Sequence, residues 1–154
     1  MKALFQTDTT WHNLILRMTL GIVIFPHGAQ KLMGWFGGNG FSATMGFFTE
    51  KMGLPVGLAF LIIFCEAFGS LSLITGLLTR VSAFGLICLM SGAIFMVHWK
   101  NGFFMNWFGQ QPGEGFEYHL LVIGICLTLI LAGAGKWSLD RIIASWLSGR
   151  NPAP

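Results

Sequence analysis

The sequence predicts an all-α, polytopic membrane protein: an antiparallel bundle of four transmembrane helices, with interfacial helices in the first outer loop and the C-terminal tail. Three observations predict it. The 154-residue chain is 54% hydrophobic and 10% charged, with mean hydropathy +0.68, whereas soluble domains carry roughly 25% charged residues. A chain this short cannot hide so much apolar surface in a globule, so its apolar residues face lipid. Four apolar stretches, at about residues 14–33, 56–78, 81–99 and 116–134, approach the ~20 residues that a crossing needs. The 21 glycines suit close helix packing in lipid. The whole chain reads as a single transmembrane domain.

The formal net charge is +3 and the pI about 9.0. The basic residues are scattered singly, without cluster or stripe, which argues against nucleic-acid binding. Cys65, Cys88 and Cys126 are odd in number, lie mid-span and include no C-x-x-C pair. They read as small apolar core residues, not as a disulfide framework. The first apolar run carries Arg17 and no small-residue cleavage site, so it reads as a retained helix.

Residues 1–13 form a polar tail ending in Trp11 and His12, at the depth where Trp favours the bilayer interface. Span 1 follows. Arg17, one turn in, is expected to snorkel to the headgroups. Pro26 removes a backbone donor and should kink the helix. His27, Gln30, Lys31 and Gly34 then share one helical face by spacing. Such a polar face belongs inside a bundle or at a water-filled cavity.

Residues 35–55 are too polar and Gly-rich to cross. Gly37-Gly38-Asn39-Gly40 makes a turn, and Phe41, Met45, Phe48 and Met52 recur at helical spacing. That pattern predicts an interfacial helix over about 41–53, a lid over the bundle mouth or a gate over a ligand entrance. Pro55 opens span 2. Glu66 lies about ten residues into it, roughly 15 Å along the axis. A carboxylate at that depth is paired or protonated, and Arg17 and Lys31 are the candidate partners. Gly69 and Gly76 suit helix packing, as do Gly85 and Gly92 in span 3.

Thr79-Arg80 reads as a very short turn, making spans 2 and 3 antiparallel neighbours. His98-Trp99-Lys100 ends span 3 at the interface. Residues 101–115 form an aromatic-rich outer loop. Glu117, Tyr118 and His119 open span 4, where a carboxylate suits the helix N-terminus. Gly133-Ala134-Gly135 ends it. Residues 138–147 read as a tail helix with Ser138 as N-cap, and the chain beyond reads as loose. Four crossings place both termini on one side. That side collects Lys2, Arg80, Lys136, Arg141 and Arg150, against Lys51 and Lys100 on the other. The bias predicts cytoplasmic termini.

His27, Lys31, Glu66, His98, Glu117 and His119 thus gather in the outer half of the bundle. A Lys–Glu pair beside histidines can bind a polar head group and move protons, and a quinone fits such a layer. A metal held by His27, His98 and His119 with Glu66 or Glu117 is a weaker alternative. No H-x-x-x-H or H-E-x-x-H spacing supports it, and no metal ligand is assigned. No phosphate-binding glycine loop or nucleophilic triad is present.

These motifs resemble the DoxX family of small bacterial four-helix membrane proteins. The matching residues are Arg17, HGAQKLMGWFGG (27–38), MGLP (52–55), Glu66, GLLTR (76–80), HWKNGFF (98–104), Glu117 and GAGKWSLD (133–140). Ala134 departs from the pattern, since many members carry Pro there. The resemblance implies a bacterial cytoplasmic (inner) membrane location. It implies function more loosely: some relatives are membrane subunits of oxidoreductases that pass electrons to quinone, others belong to redox-stress complexes. No haem, flavin or Fe–S motif accompanies this chain, so electrons would come from a partner protein or a bound cofactor.

Two readings follow. In the first, the protein is a quinone-interacting membrane subunit. Glu66 and His27 are then the candidate catalytic pair, with Glu66 handling the proton. Lys31, His98, Glu117 and His119 are the candidate ligand-binding set, and Arg17 is structural. The partners are the bilayer, a quinone and a soluble or membrane redox protein. In the second, the protein is a non-enzymatic scaffold that anchors a partner, and its buried charges are structural ion pairs. A solute carrier finds no support in an inverted repeat or broken-helix pair.

Overall fold

The computed structural model describes residues 2–149. Among these residues every regular element is helical. A short α1 (Lys2–Phe5) precedes α2 (Trp11–Met33). A 3₁₀ turn at Trp35–Gly37 leads into α3 (Gly40–Gly46), which continues as a π-helical turn over Phe47–Lys51. Then come α4 (Val56–Thr75) and α5 (Thr79–Ala93). The latter extends through a π-helical turn at Ile94–His98 and a 3₁₀ turn at Trp99–Asn101. The chain ends with α6 (Glu117–Ala132) and α7 (Leu139–Leu147). Arg150 and the side chain of Lys2, both counted in the charge bias, lie outside the described residues, as does most of the tail beyond Ser148.

The four long helices close into a ring: α2 packs on α4, α4 on α5, α5 on α6, and α6 back on α2. All four supply the core, which joins Leu20, Ile24, Leu73, Leu86, Met90, Val122, Cys126 and Leu129. Outward, large apolar side chains stay exposed, including Phe60, Phe64, Phe68, Phe84, Leu121 and Leu131. Phe60, Phe64 and Phe68 stack along α4. Among the described residues two helical segments are long and apolar enough to cross a membrane, Val56–Thr75 and Thr79–Asn101. Helix α6 is apolar but has 16 residues, about 24 Å at 1.5 Å per residue. Helix α2 has 23 residues but carries Arg17, His27, Gln30 and Lys31.

Several boundaries differ from the sequence reading. Helix α2 starts at Trp11, inside the expected polar tail, and runs through Pro26 unbroken. Helix α4 stops at Thr75, because Gly76 takes the left-handed conformation (φ 67°) as its C-cap. The turn to α5 is therefore Gly76-Leu77-Leu78, and Thr79 and Arg80 already belong to α5. Gly69 and Gly92 have no neighbour near a hypothetical Cβ, so they make no close contact. The tight α2–α4 contact uses Gly21 and Gly28 instead: a Cβ on Gly28 would lie 2.5 Å from the Ala67 Cα. Gly85 packs as expected, against Cys65 Sγ. Of the cysteines, Cys126 is buried, Cys65 half-buried and Cys88 exposed.

The end carrying α1 and α7 is tied together by Arg17. Its side chain is buried, not snorkelling to a surface. Nε donates to Ala134 O (2.9 Å), Nη1 to Leu73 O (3.0 Å) and Ile74 O (2.6 Å), and Nη2 to Lys136 O (3.0 Å) and Trp137 O (2.7 Å). The last carbonyls of a helix have no intrahelical donor, and a cation there also complements the helix dipole. Asp140 completes the junction by capping α5: its carboxylate accepts from Leu78 N (2.6 Å) and Thr79 N (2.9 Å). Ser138 caps α7 as its sequence position predicts, accepting from Arg141 N.

Candidate functional site

The opposite end of the bundle, formed by the α2–α4 and α5–α6 connections, holds the polar residues singled out by sequence. Gly28 lets α2 and α4 approach closely, and one turn later Lys31 reaches Glu66. Lys31 Nζ lies 2.5 Å from Glu66 Oε2. Glu66 is buried, while Lys31 keeps 26% exposure. Of the two candidate partners for Glu66, the structure pairs Lys31; Arg17 is engaged at the other end.

Lys31 also lines a cavity of about 290 Å³, together with Gln30, Gly38, Asn39, Thr44, Phe47 and Phe48. The local sequence explains its shape. Gly34 caps α2 in the left-handed conformation (φ 74°). Gln30 Nε2 donates to Phe36 O (3.1 Å), folding the loop back over the helix end. Gly38 then packs on the Gln30 backbone, where any Cβ would collide. Helix α3 and its π-turn roof the cavity with Thr44, Phe47 and Phe48.

His98 and His119 form a second cluster. Their ring centroids are 4.2 Å apart at a 44° tilt. His98 Nδ1 lies 2.8 Å from Glu114 O; a carbonyl only accepts, so this nitrogen donates. His119 is buried, and its Nδ1 has no partner among the described residues. The neighbouring Tyr118 hydroxyl is also buried and unpartnered. Glu66 is an electrostatic neighbour of Tyr118. Among the described residues no hydrogen bond or ion pair joins the histidine pair to Lys31 or Glu66.

Two site residues sit differently from expectation. His27 is exposed on the outside of α2 and does not turn inward with Lys31. The 100° step per residue spreads positions 27, 30, 31 and 34 over a broad arc, and only part of it faces α4. Glu117 is engaged in the α5–α6 loop, where Oε1 accepts from Met105 N (2.8 Å). Glu114 does the same for Asn106 N (2.6 Å). The three histidines therefore do not converge, and no group of three or more His, Cys, Asp or Glu forms a metal-ligand set among the described residues. Sequence reasoning missed Gly28 and Thr44. The signal for Gly28 was present: Gly21 and Gly28 lie seven residues apart, on one helical face.

Fold and site together define a class: a small all-helical membrane protein with a charge pair beside a roofed cavity at one end of the bundle. The chain belongs to the DoxX family, whose family model matches residues 12–99. It is 34% identical over 131 residues to a Bacillus subtilis (strain 168) protein named "Putative oxidoreductase CatD", covering 85% of this chain and 86% of that one. It is 32% identical over 142 residues to an "Uncharacterized protein" of Haemophilus influenzae, covering 87% of this chain and 88% of that one. No solved structure matches the chain.

Proposed function

We propose that this DoxX-family protein crosses the bacterial cytoplasmic membrane four times, with both termini in the cytoplasm, and serves as a quinone-interacting membrane subunit of an oxidoreductase. The observation that carries the reading is the double placement of Lys31, which touches Glu66 and lines the cavity under α3. A quinone carbonyl placed there accepts from the Lys31 ammonium, and Glu66 is one contact behind it to supply or take a proton. The tilted pair of His98 and His119, ring centroids 4.2 Å apart, places two more imidazoles at the same end. His27, being exposed, meets only a head group arriving from outside the ring. The quinone tail remains among the exposed apolar side chains. The name of the Bacillus relative agrees with redox chemistry.

The test is extraction of the gently purified protein for bound small molecules. Stoichiometric quinone in wild type, lost in Lys31→Met, is the expected result. Ordinary lipid alone, even after quinone is added, would remove the redox reading. A second reading has its own observation: Lys31 and Glu66 already form an ion pair with each other, at 2.5 Å. In it the protein is a scaffold for a partner and the pair only joins α2 to α4. Glu66→Gln then lowers stability, whereas the redox reading has it abolish quinone-dependent turnover in an assembled protein.

A further inference from the structure

The end of the bundle that carries both chain termini holds a second cavity, about 330 Å³, lined by Gln6, Thr7, Asp8, Arg80 and Ala132. Arg80 is held in place: Nη1 donates to Ile130 O, and Nη2 donates to Gln6 O at 3.0 Å. Its Nε is buried and has no partner among the described residues. A guanidinium carries five N–H donors, so three remain unspent. Asp8 is also fixed by its backbone, whose N–H donates to Ala132 O at 3.0 Å and whose carbonyl accepts from Thr7 Oγ1 at 3.2 Å. Its carboxylate has no hydrogen-bond or ion-pair partner among the described residues. Arg80 and Asp8 line one cavity, yet they form no ion pair with each other.

A braced cation and an exposed, unpartnered carboxylate that line one polar cavity match a zwitterion. The remaining guanidinium donors suit a phosphate, which Arg binds through paired hydrogen bonds. The carboxylate suits a primary ammonium. The surroundings point to a lipid source. Lys136 N donates to Thr10 O, which joins the start of α2 to the α6–α7 turn. There Trp11 and the exposed Trp137 meet edge to face at 5.0 Å. The Lys136 ammonium sits 4.5 Å over the Trp11 ring. Exposed Trp beside Lys marks headgroup depth.

We infer that this cavity binds the phosphoethanolamine head group of an aminophospholipid, with the phosphate on Arg80 and the ammonium on Asp8. The inference rests on the membrane placement proposed above and is independent of quinone binding. The test places the full chain in nanodiscs of equal phosphatidylethanolamine and phosphatidylglycerol, followed by mass spectrometry of the lipid retained after mild delipidation. Wild type is expected to retain phosphatidylethanolamine about tenfold over phosphatidylglycerol, one well-made charged contact's worth of selectivity. Arg80→Gln should lose both lipids. Because Arg80 also braces Gln6 and Ile130, the deciding variant is Asp8→Lys, which removes a side chain without a partner. It should fold normally and invert the preference toward phosphatidylglycerol. Equal retention of both lipids by wild type, or an unchanged preference in Asp8→Lys, would overturn the inference. Saturable binding of soluble phosphoethanolamine without retention of the lipid would overturn the lipid source.

Discussion

Glu66 separates the two functional readings at the level of one residue. Its substitution by Gln leaves Lys31 as a half-buried cation without its carboxylate. Breaking a buried pair costs about 3–5 kcal/mol, and the 26% exposure of Lys31 lowers that toward about 1–3 kcal/mol. Thermal melts of Glu66→Gln, Lys31→Met and the double variant measure it. A scaffold role predicts that the double variant recovers most of the lost stability, since no charge is then left alone. A redox role predicts that both variants lose quinone-dependent turnover whatever their melting points. Arg17 offers a contrast. It supplies donors to five carbonyls from α4 and the α6–α7 connection, so Arg17→Gln orphans most of them at once. We expect a loss on the order of 3–5 kcal/mol, or failure to assemble, measured as monodisperse yield in detergent.

At the scale of elements, the contact between α2 and α4 decides whether Lys31 reaches Glu66 at all. Gly28 sits against the Ala67 backbone, so even Gly28→Ala must push the two helices apart. The expected cost is about 1–3 kcal/mol, accompanied by loss of the Lys31–Glu66 coupling in a double-mutant cycle. Gly69→Ala is the control: nothing lies within 4 Å of its added Cβ, and its stability should stay within about 0.5 kcal/mol. Equal effects at the two positions would show that the close approach at Gly28 is not what sets the pair. The α7 element behaves differently again. It docks through Asp140 on the start of α5 and is not an independent tail, so Asp140→Ala should loosen both helices together, read as faster hydrogen exchange at Leu78 and Thr79.

For the whole molecule, the prediction concerns orientation. The ring of α2, α4, α5 and α6 has α1 and α7 at one end and the α2–α4 and α5–α6 connections at the other. In the four-crossing reading these ends lie on opposite sides of the membrane. Single cysteines placed at Lys100 and Ser148, in a background without Cys65, Cys88 and Cys126, should label from opposite faces of sealed vesicles with an impermeant thiol reagent. Ser148→Cys should label from the cytoplasmic face. Labelling from one face would exclude a single crossing between the two positions, and with it the four-crossing reading. Helix α6, at 16 residues, is short for a ~30 Å hydrocarbon core, so local bilayer thinning is expected around it.

What the sequence by itself determined was periodicity, apolarity and punctuation. The helical class, the helical run around α3 and the Ser138 cap were legible because each depends on residues close together in the chain. DoxX membership was legible too, because the motifs keep their order and spacing. Pairing was not legible. Glu66 had two candidate cations, and only the Gly28 approach selects Lys31 and leaves Arg17 to cap α4 and the α6–α7 turn. His27 and Lys31 share an arc by spacing, yet the direction of α4 decides that one faces out and the other in. Glu117 looked like a member of the polar layer until the α5–α6 loop folded back and presented Met105 N to it. A helical pattern states which residues share a face. Which faces meet, and so which buried charges and donors are satisfied, is decided only when the helices pack, because hydrogen bonds and ion pairs act over a few ångströms between segments far apart in the chain.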